Sequence, residues 1–167
     1  MKFSTKTLLF CAAVLAAAAF ARPALAAAPT EPFLNDKVDS NNDNQLWKME
    51  KNGDYVTLIP KSNEKLIVDA NGAAAKKNIY LSDKPEKDNN NQLWKMEKHG
   101  DFVMFFPKIN EKVALDANGA KNGAKPFFND KIDEKNDNEL WSLEKHGDYY
   151  VITSKQGKAA LDAGIVK

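Results

Sequence analysis

The chain has 167 residues, a formal net charge of +1 and a single cysteine, Cys11. Arg22 is its only arginine, which argues against a protein that reads nucleic-acid phosphates, because such proteins favour the forked guanidinium group. The lysines alternate with acidic residues and form no patch, so the charge pattern indicates a mixed, solvated surface.

Residues 1–26 have the pattern of a secretory signal peptide. Lys2 and Lys6 precede an apolar run that is shorter than the roughly 20 residues of a membrane span, and Ala24–Ala26 fits the small-residue cleavage site. We expect a mature chain that begins near Ala27 and is secreted, either to the extracellular space or to the periplasm of a Gram-negative cell. Removing the leader takes away Cys11 and three basic residues, which leaves a disulfide-free chain and lowers the net charge from +1 to −2.

The mature chain opens with an element that returns later. "PFLNDKVDSNNDNQLW" starts at Pro32, and "PFFNDKIDEKNDNELW" starts at Pro126. Each copy ends in a tryptophan, and a third copy of that ending lies between them. The three tryptophans recur every 47 residues, at Trp47, Trp94 and Trp141. A fixed period of this length indicates a repeat architecture.

Each full repeat contains four short strand-like runs. The first repeat lies between Gly53 and Trp94 and contains "DYVTLIP", "KLIVDA", "NIYLS" and "NQLW"; the second lies between Gly100 and Trp141. Glycine beside Asn, His or Asp supplies the positive-φ turn of a hairpin. Since no long stretch has a helical period, the sequence predicts an all-β domain.

The third repeat is divided between the two ends of the chain. Its first half closes the chain with "DYYVITS" and "KAALDA", and its second half is the segment that opens at Pro32. We therefore expect the termini to meet and to close a threefold object of about twelve strands, because closure removes exposed strand edges. Three repeats are too few for a propeller, which typically has 4–8 blades.

The repeated motifs resemble those of the ricin B-type (R-type) lectins. The QxW motif stands at Gln45–Trp47 and Gln92–Trp94, and "LDA" stands at Leu115–Ala117 and Leu161–Ala163. The resemblance covers nearly all of residues 32–167. It implies that residues 27–167 form a single β-trefoil domain with three pseudo-repeats of about 47 residues, and that the protein is a carbohydrate-binding lectin with up to three shallow sites.

The QxW residues are expected to be structural. Each tryptophan should lie in the core around the threefold axis, and each glutamine should tie its strand to a neighbouring loop. Glu139 replaces the glutamine of the third motif, and a carboxylate cannot donate, which counts against that copy as a binding site. The structural set is Gln45, Trp47, Gln92, Trp94, Glu139 and Trp141.

The family resemblance assigns sugar contacts to three phased Asp–Asn pairs. A carboxylate can accept hydrogen bonds from adjacent sugar hydroxyls, at about 1.5–3 kcal/mol for each charge-assisted bond. The alternative is that each aspartate caps a turn. The pairs are Asp69 with Asn91, Asp116 with Asn138, and Asp162 with Asn44, the last across the chain ends.

The family also places an aromatic ring nine residues before the asparagine, where this chain has Ser82, Asn129 and Asn35. Rings stand two residues earlier, on the same face of the strand. They are candidates for stacking on a sugar, with core or inter-repeat packing as the alternative. These rings are Tyr80, Phe127 and Phe33.

The other motifs favour neither metal nor catalysis. The segment from Asp39 to Glu50 has Ca²⁺-loop spacing, but Asn44 stands where such a loop needs glycine. No serine or cysteine recurs with a histidine, so we expect no enzyme activity. We expect no cofactor and no nucleic-acid partner, only glycans or glycoconjugates. A β-trefoil protease inhibitor and the binding subunit of a toxin or adhesin remain as alternatives.

Overall fold

The computed structural model describes residues 30–166, so the predicted signal peptide lies outside the described residues. The described chain consists of strands joined by turns, with two short 3₁₀ turns at Asp43–Gln45 and Asn118–Ala120. No helix in this part of the chain is long and apolar enough to cross a membrane. In chain order the strands β1 to β12 are Phe33–Asn35, Leu46–Asn52, Tyr55–Pro60, Ile67–Asp69, Tyr80–Ser82, Trp94–His99, Phe102–Pro107, Ala114–Asp116, Phe127–Asn129, Trp141–His146, Tyr149–Ser154 and Ala160–Asp162.

Six strands form a closed barrel. The hairpins β2–β3, β6–β7 and β10–β11 are joined edge to edge by β3–β6, β7–β10 and β11–β2. Each hairpin turns at the glycine of a repeated "NGD" or "HGD", and Gly53, Gly100 and Gly147 all have a φ of 64°. A glycine is favoured there because positive φ strains residues that carry a Cβ. Closure of the ring leaves no long barrel edge exposed.

Three short hairpins form a cap on the barrel. β4 pairs with β5, β8 with β9, and β12 with β1. The third hairpin joins the two ends of the chain, with Phe33 opposite Asp162 and Leu34 opposite Leu161. The predicted split repeat is therefore confirmed, and the architecture is a β-trefoil.

Neighbouring cap hairpins are tied together by one repeated main-chain hydrogen bond. The amide of the middle residue of β1, β5 or β9 donates to a carbonyl in the segment that leads into another of these three strands, and the bond occurs once in each pseudo-repeat. The donor–acceptor pairs are Leu34 N to Ala124 O at 2.8 Å, Leu81 N to Thr30 O at 2.8 Å, and Phe128 N to Lys77 O at 3.0 Å. The first described residue, Thr30, is thus part of the cap.

The three tryptophans occupy the centre of the core, and each is fully buried. Each indole N–H donates to a cap-strand carbonyl, at 2.8 Å from Trp47 to Leu161, 3.4 Å from Trp94 to Val68 and 3.0 Å from Trp141 to Leu115. The rings therefore fill the space between barrel and cap while their polar atoms remain paired. They are core residues, as the repeat pattern predicts.

Candidate functional site

The structure brings each predicted aspartate together with its predicted ring. Asp69 is directly opposite Tyr80 across β4 and β5, Asp116 is opposite Phe127 across β8 and β9, and Asp162 is opposite Phe33 across β12 and β1. The three rings are partly exposed, whereas the aspartates have exposures of 4%, 5% and 2% in that order. Each cap hairpin thus presents a ring beside a buried carboxyl group.

The aspartate oxygens are engaged by the protein itself. Oδ1 of Asp69 accepts the main-chain N–H of Asn71 at 2.8 Å, and Oδ2 accepts Gln92 Nε2 at 3.1 Å. Asp162 repeats this arrangement, with Gly164 N at 2.9 Å and Gln45 Nε2 at 3.2 Å. Each carboxylate caps the turn that follows it, which is the alternative role that the sequence left open.

The QxW glutamine joins that turn to the loop before the motif. Nε2 of Gln92 also donates to the carbonyl of Lys84 at 3.0 Å, and its Oε1 accepts the N–H of Glu86 at 2.8 Å. Gln45 makes the matching contacts with Lys37 and Asp39, at 3.0 and 2.8 Å. Because each glutamine side chain is buried and both of its polar atoms are hydrogen-bonded, it fixes the loop around these two candidate sites.

The asparagine before Gln45, Gln92 or Glu139 bonds to the turn after the aspartate. The side-chain Oδ1 of Asn91 accepts Gly72 N at 2.8 Å, and that of Asn138 accepts Gly119 N at 2.9 Å. Asn44 differs, because its Nδ2 donates to the carbonyl of Ile165 at 3.0 Å and its Oδ1 has no partner in the described part of the chain.

A family model described as ricin-type beta-trefoil lectin domain-like matches residues 43–128. The chain belongs to this family. The match confirms the resemblance drawn from the QxW motifs.

Comparison with one solved structure, at a TM-score above 0.5, supports the fold. The chain is similar to ThreeFoil, a designed 3-fold symmetric protein, with a TM-score of 0.54 and 20% identity over 65% of this chain and 77% of that one. It is also similar to a mosquitocidal holotoxin, with a TM-score of 0.49 and 14% identity over 83% of this chain, which spans 24% of the toxin chain. No curated protein matches the chain.

The third copy of the family motif is built differently around Glu139. This carboxylate is fully buried; its Oε1 accepts Asn129 Nδ2 at 2.7 Å and Asn136 Nδ2 at 2.8 Å, and its Oε2 accepts Asp133 N at 3.2 Å. Asn136 Nδ2 also lies 3.4 Å from Oδ2 of Asp116. Two buried carboxyl groups therefore share one amide donor in place of the direct amide-to-carboxylate bond of the other copies.

Two side chains of these ring sites have perturbed acidity. Burial raises the pKa of the Asp116 carboxyl above its ordinary value, against the lowering effect of the Asn118 N–H and the Asn136 amide. The pKa of the Tyr80 hydroxyl is also raised, first by partial burial and then by the charge of Asp69 opposite it. Phe127 and Phe33 lack this hydroxyl, so the ring opposite the aspartate has a polar edge in one copy only.

A pocket beside Asn44, which we call the seam pocket, was not predicted from the sequence. It has a volume of about 340 Å³ and lies where the end of the chain meets its opening segment. Ser62, from the loop after β3, and Ile165 belong to no family motif, so only comparison of the three repeats in space identifies them. The pocket is lined by Asn41, Asn42, Asp43, Asn44, Ser62 and Ile165.

Proposed function

We propose that the chain is a lectin whose sugar sites lie on the cap side of the trefoil. The observation that carries this proposal is the threefold repetition of a partly exposed ring opposite a family aspartate, at Tyr80, Phe127 and Phe33. The face of such a ring carries partial negative charge and attracts the C–H groups of a sugar. Membership of a lectin-like family supports the proposal by analogy.

In this proposal the aspartates orient the sites and do not contact the sugar. Their oxygens already accept main-chain and glutamine hydrogens, and the side chains are almost fully buried. A sugar would instead meet the ring and the amide-rich loops around it. Such contacts are shallow and individually weak, so display of several sites on one glycan-rich surface would add avidity.

We also propose that the protein is secreted after removal of residues 1–26. Cleavage there would leave only Ala27, Ala28 and Pro29 before Thr30, whose carbonyl accepts Leu81 N in the cap. Glu31, the next residue, pairs with Lys125. The predicted mature chain therefore retains every cap contact described here. We propose binding without catalysis, since the repeats pair no nucleophile with a base.

A glycan array tests the proposed function. Labelled residues 27–167, shown to melt cooperatively, should be retained on at least one class of glycan and released by the matching free sugar. A folded protein that is retained on no glycan would overturn the proposal. A parallel panel of proteases tests the inhibitor alternative: inhibition without glycan retention would favour that function instead.

A further inference from the structure

We propose that the seam pocket is the principal sugar site of this chain, and that it recognises sugar hydroxyls through Asn44 and Ser62 and not through an aspartate. The inference rests on the proposed function and makes it more specific. It selects the Asn44 copy of the three Asp–Asn positions, places the sugar in the amide-rich loop and not on the Phe33 ring, which does not line the pocket, and names a contact residue, Ser62, that lies outside the family motif.

The first observation is a difference among the three asparagines. Oδ1 of Asn91 and Oδ1 of Asn138 each accept a glycine N–H from the turn after the aspartate, whereas Oδ1 of Asn44 is shielded from solvent and unpartnered within residues 30–166. Buried acceptors in native proteins are nearly always hydrogen-bonded. Asn44 therefore has an acceptor oxygen without a partner, whereas the same oxygen of Asn91 and of Asn138 is hydrogen-bonded within the protein.

The sequence of the turn explains this difference. Two copies read "DANGA", in which the glycine is three residues after the aspartate; the closing copy reads "DAGIV", in which Gly164 is two residues after Asp162. The backbone differs accordingly: in the two "DANGA" copies the glycine and both of its neighbours have positive φ, whereas in the closing copy Gly164 has a φ of 65° and Ile165 is not in the positive-φ region. Position 165 consequently turns its carbonyl toward Asn44, where it accepts Nδ2, and supplies no N–H to Oδ1.

The second observation is an unpartnered hydroxyl in the same pocket. Ser62 Oγ is buried without a hydrogen-bond partner in the described chain, and its counterparts at the same repeat position are Ile109 and Gln156. Five side-chain atoms of residues 30–166 are in this condition, and two of them line the seam pocket. The Thr57 and His99 atoms line separate clefts, so this pairing occurs at the seam alone among the clefts described.

The chemistry of the pocket indicates a neutral sugar. An acceptor beside a hydroxyl, which both donates and accepts, fits two adjacent hydroxyl groups, one donating to Asn44 and the other bonded to Ser62. The Asp43 carboxylate at the wall is paired with Lys61 at 3.0 Å, so the wall offers no unpaired cation for an acidic sugar. Ile165 provides the apolar wall for the C–H face, and the pocket must open for the ligand to reach the two shielded atoms.

Substitution of Ser62 tests the inference. The array-selected monosaccharide, or galactose, glucose, mannose and N-acetylglucosamine in turn if the array signal is weak, is titrated into wild type and Ser62→Ala. The variant loses a hydroxyl that has no protein partner, so its melting temperature should stay at the wild-type value. Its affinity should fall about 3- to 10-fold, the value of one hydrogen bond. Ile109→Ala, at the same position of the next repeat, is the matched control and should bind like wild type.

A second pair of variants separates the seam from the other copies. Asn44→Ala should reduce binding per folded molecule at least as much as Ser62→Ala, whereas Asn91→Ala should leave more than half of it. Sugar binding that survives Ser62→Ala and Asn44→Ala unchanged would overturn the inference and leave the lectin proposal standing. Absence of glycan binding by the wild-type protein would overturn both.

Discussion

Replacement of Glu139 by glutamine is expected to stabilise the protein. In the other two copies the glutamine at this position donates to the turn-capping aspartate, at 3.1 Å from Gln92 and 3.2 Å from Gln45. Glu139 cannot donate when ionised, and it lies close enough to Asp116 for both to approach the same Asn136 amide. Glu139→Gln therefore removes a buried carboxyl group beside Asp116 and supplies the missing donor.

The expected gain is a modest fraction of the stability of a domain. A hydrogen bond to a charged group contributes about 1.5–3 kcal/mol. Part of this is lost because Nε2 would stand where Oε1 of Glu139 accepts the Asn129 and Asn136 amides, so these two amides must turn toward Asp116, as Asn35 and Asn42 donate to Asp162 in the first copy. We expect a net gain of about 1–2 kcal/mol in the free energy of unfolding, which for a domain of this size raises the melting temperature by about 2–8 °C.

The gain should depend on pH. The pKa of Asp116 is raised by burial above its ordinary 3.8, so the folded state binds this proton more tightly than the unfolded state does. That contribution to stability is complete below the unfolded pKa and is lost as the pH rises through the folded pKa. A new amide donor favours the ionised form, so Glu139→Gln should stabilise the protein more at pH 7 than at pH 3.

Chemical denaturation at the two pH values measures this effect. Gln92→Glu is the matched reverse change, because it should place a second carboxylate beside Asp69 and destabilise the protein at pH 7. If Glu139→Gln melted at or below the wild-type temperature at pH 7, or gained equally at both pH values, the reasoning about the shared amide donor would be refuted.

Three further changes test the core, the turn caps and the closure of the fold. Trp94→Ala should lower the free energy of unfolding, measured by urea denaturation, by about 3–5 kcal/mol, as other large core truncations do. A variant as stable as the wild type would show that Trp94 is not a core residue. Asp69→Asn should cost about 1–3 kcal/mol, because an amide would face the Gln92 donor, and an unchanged melting curve would argue against the turn cap. Deletion of residues 157–167 removes β12, the partner of β1, so cooperative melting by calorimetry should be lost, and survival of the wild-type transition would contradict the closed trefoil.

The fold was largely predictable because the sequence repeats its own register. Trp47, Trp94 and Trp141 recur at one period, and the segment opening at Pro32 matches a later segment. Three units, the third formed by the joined ends of the chain, followed directly from these two observations. Hairpin turns were encoded locally by glycine in "NGD" and "HGD". These turn signals are local in sequence and do not depend on contacts with distant residues.

The candidate site was less predictable, because which donor bonds to which acceptor depends on the folded structure. Asp69 had the same sequence signature whether its oxygens faced a sugar or the amide of Gln92, which is 23 residues away. The missing donor at Glu139 could be inferred from residue type, but not the rearrangement of Asn136 toward it. The unpartnered oxygen of Asn44 depends on the turn at Gly164, and Ser62 reaches the same pocket from a different repeat.

The most direct test of sugar binding on the cap side is an NMR titration of ¹⁵N-labelled residues 27–167 with the monosaccharide selected by the array. The account predicts saturable shifts in the amide signals of the cap, largest at Asn44, Ser62 and Ile165, with small changes at the barrel turns around Gly53 and Gly100. Saturable shifts confined to the barrel turns, or no shifts at a sugar concentration that releases the protein from the array, would contradict it.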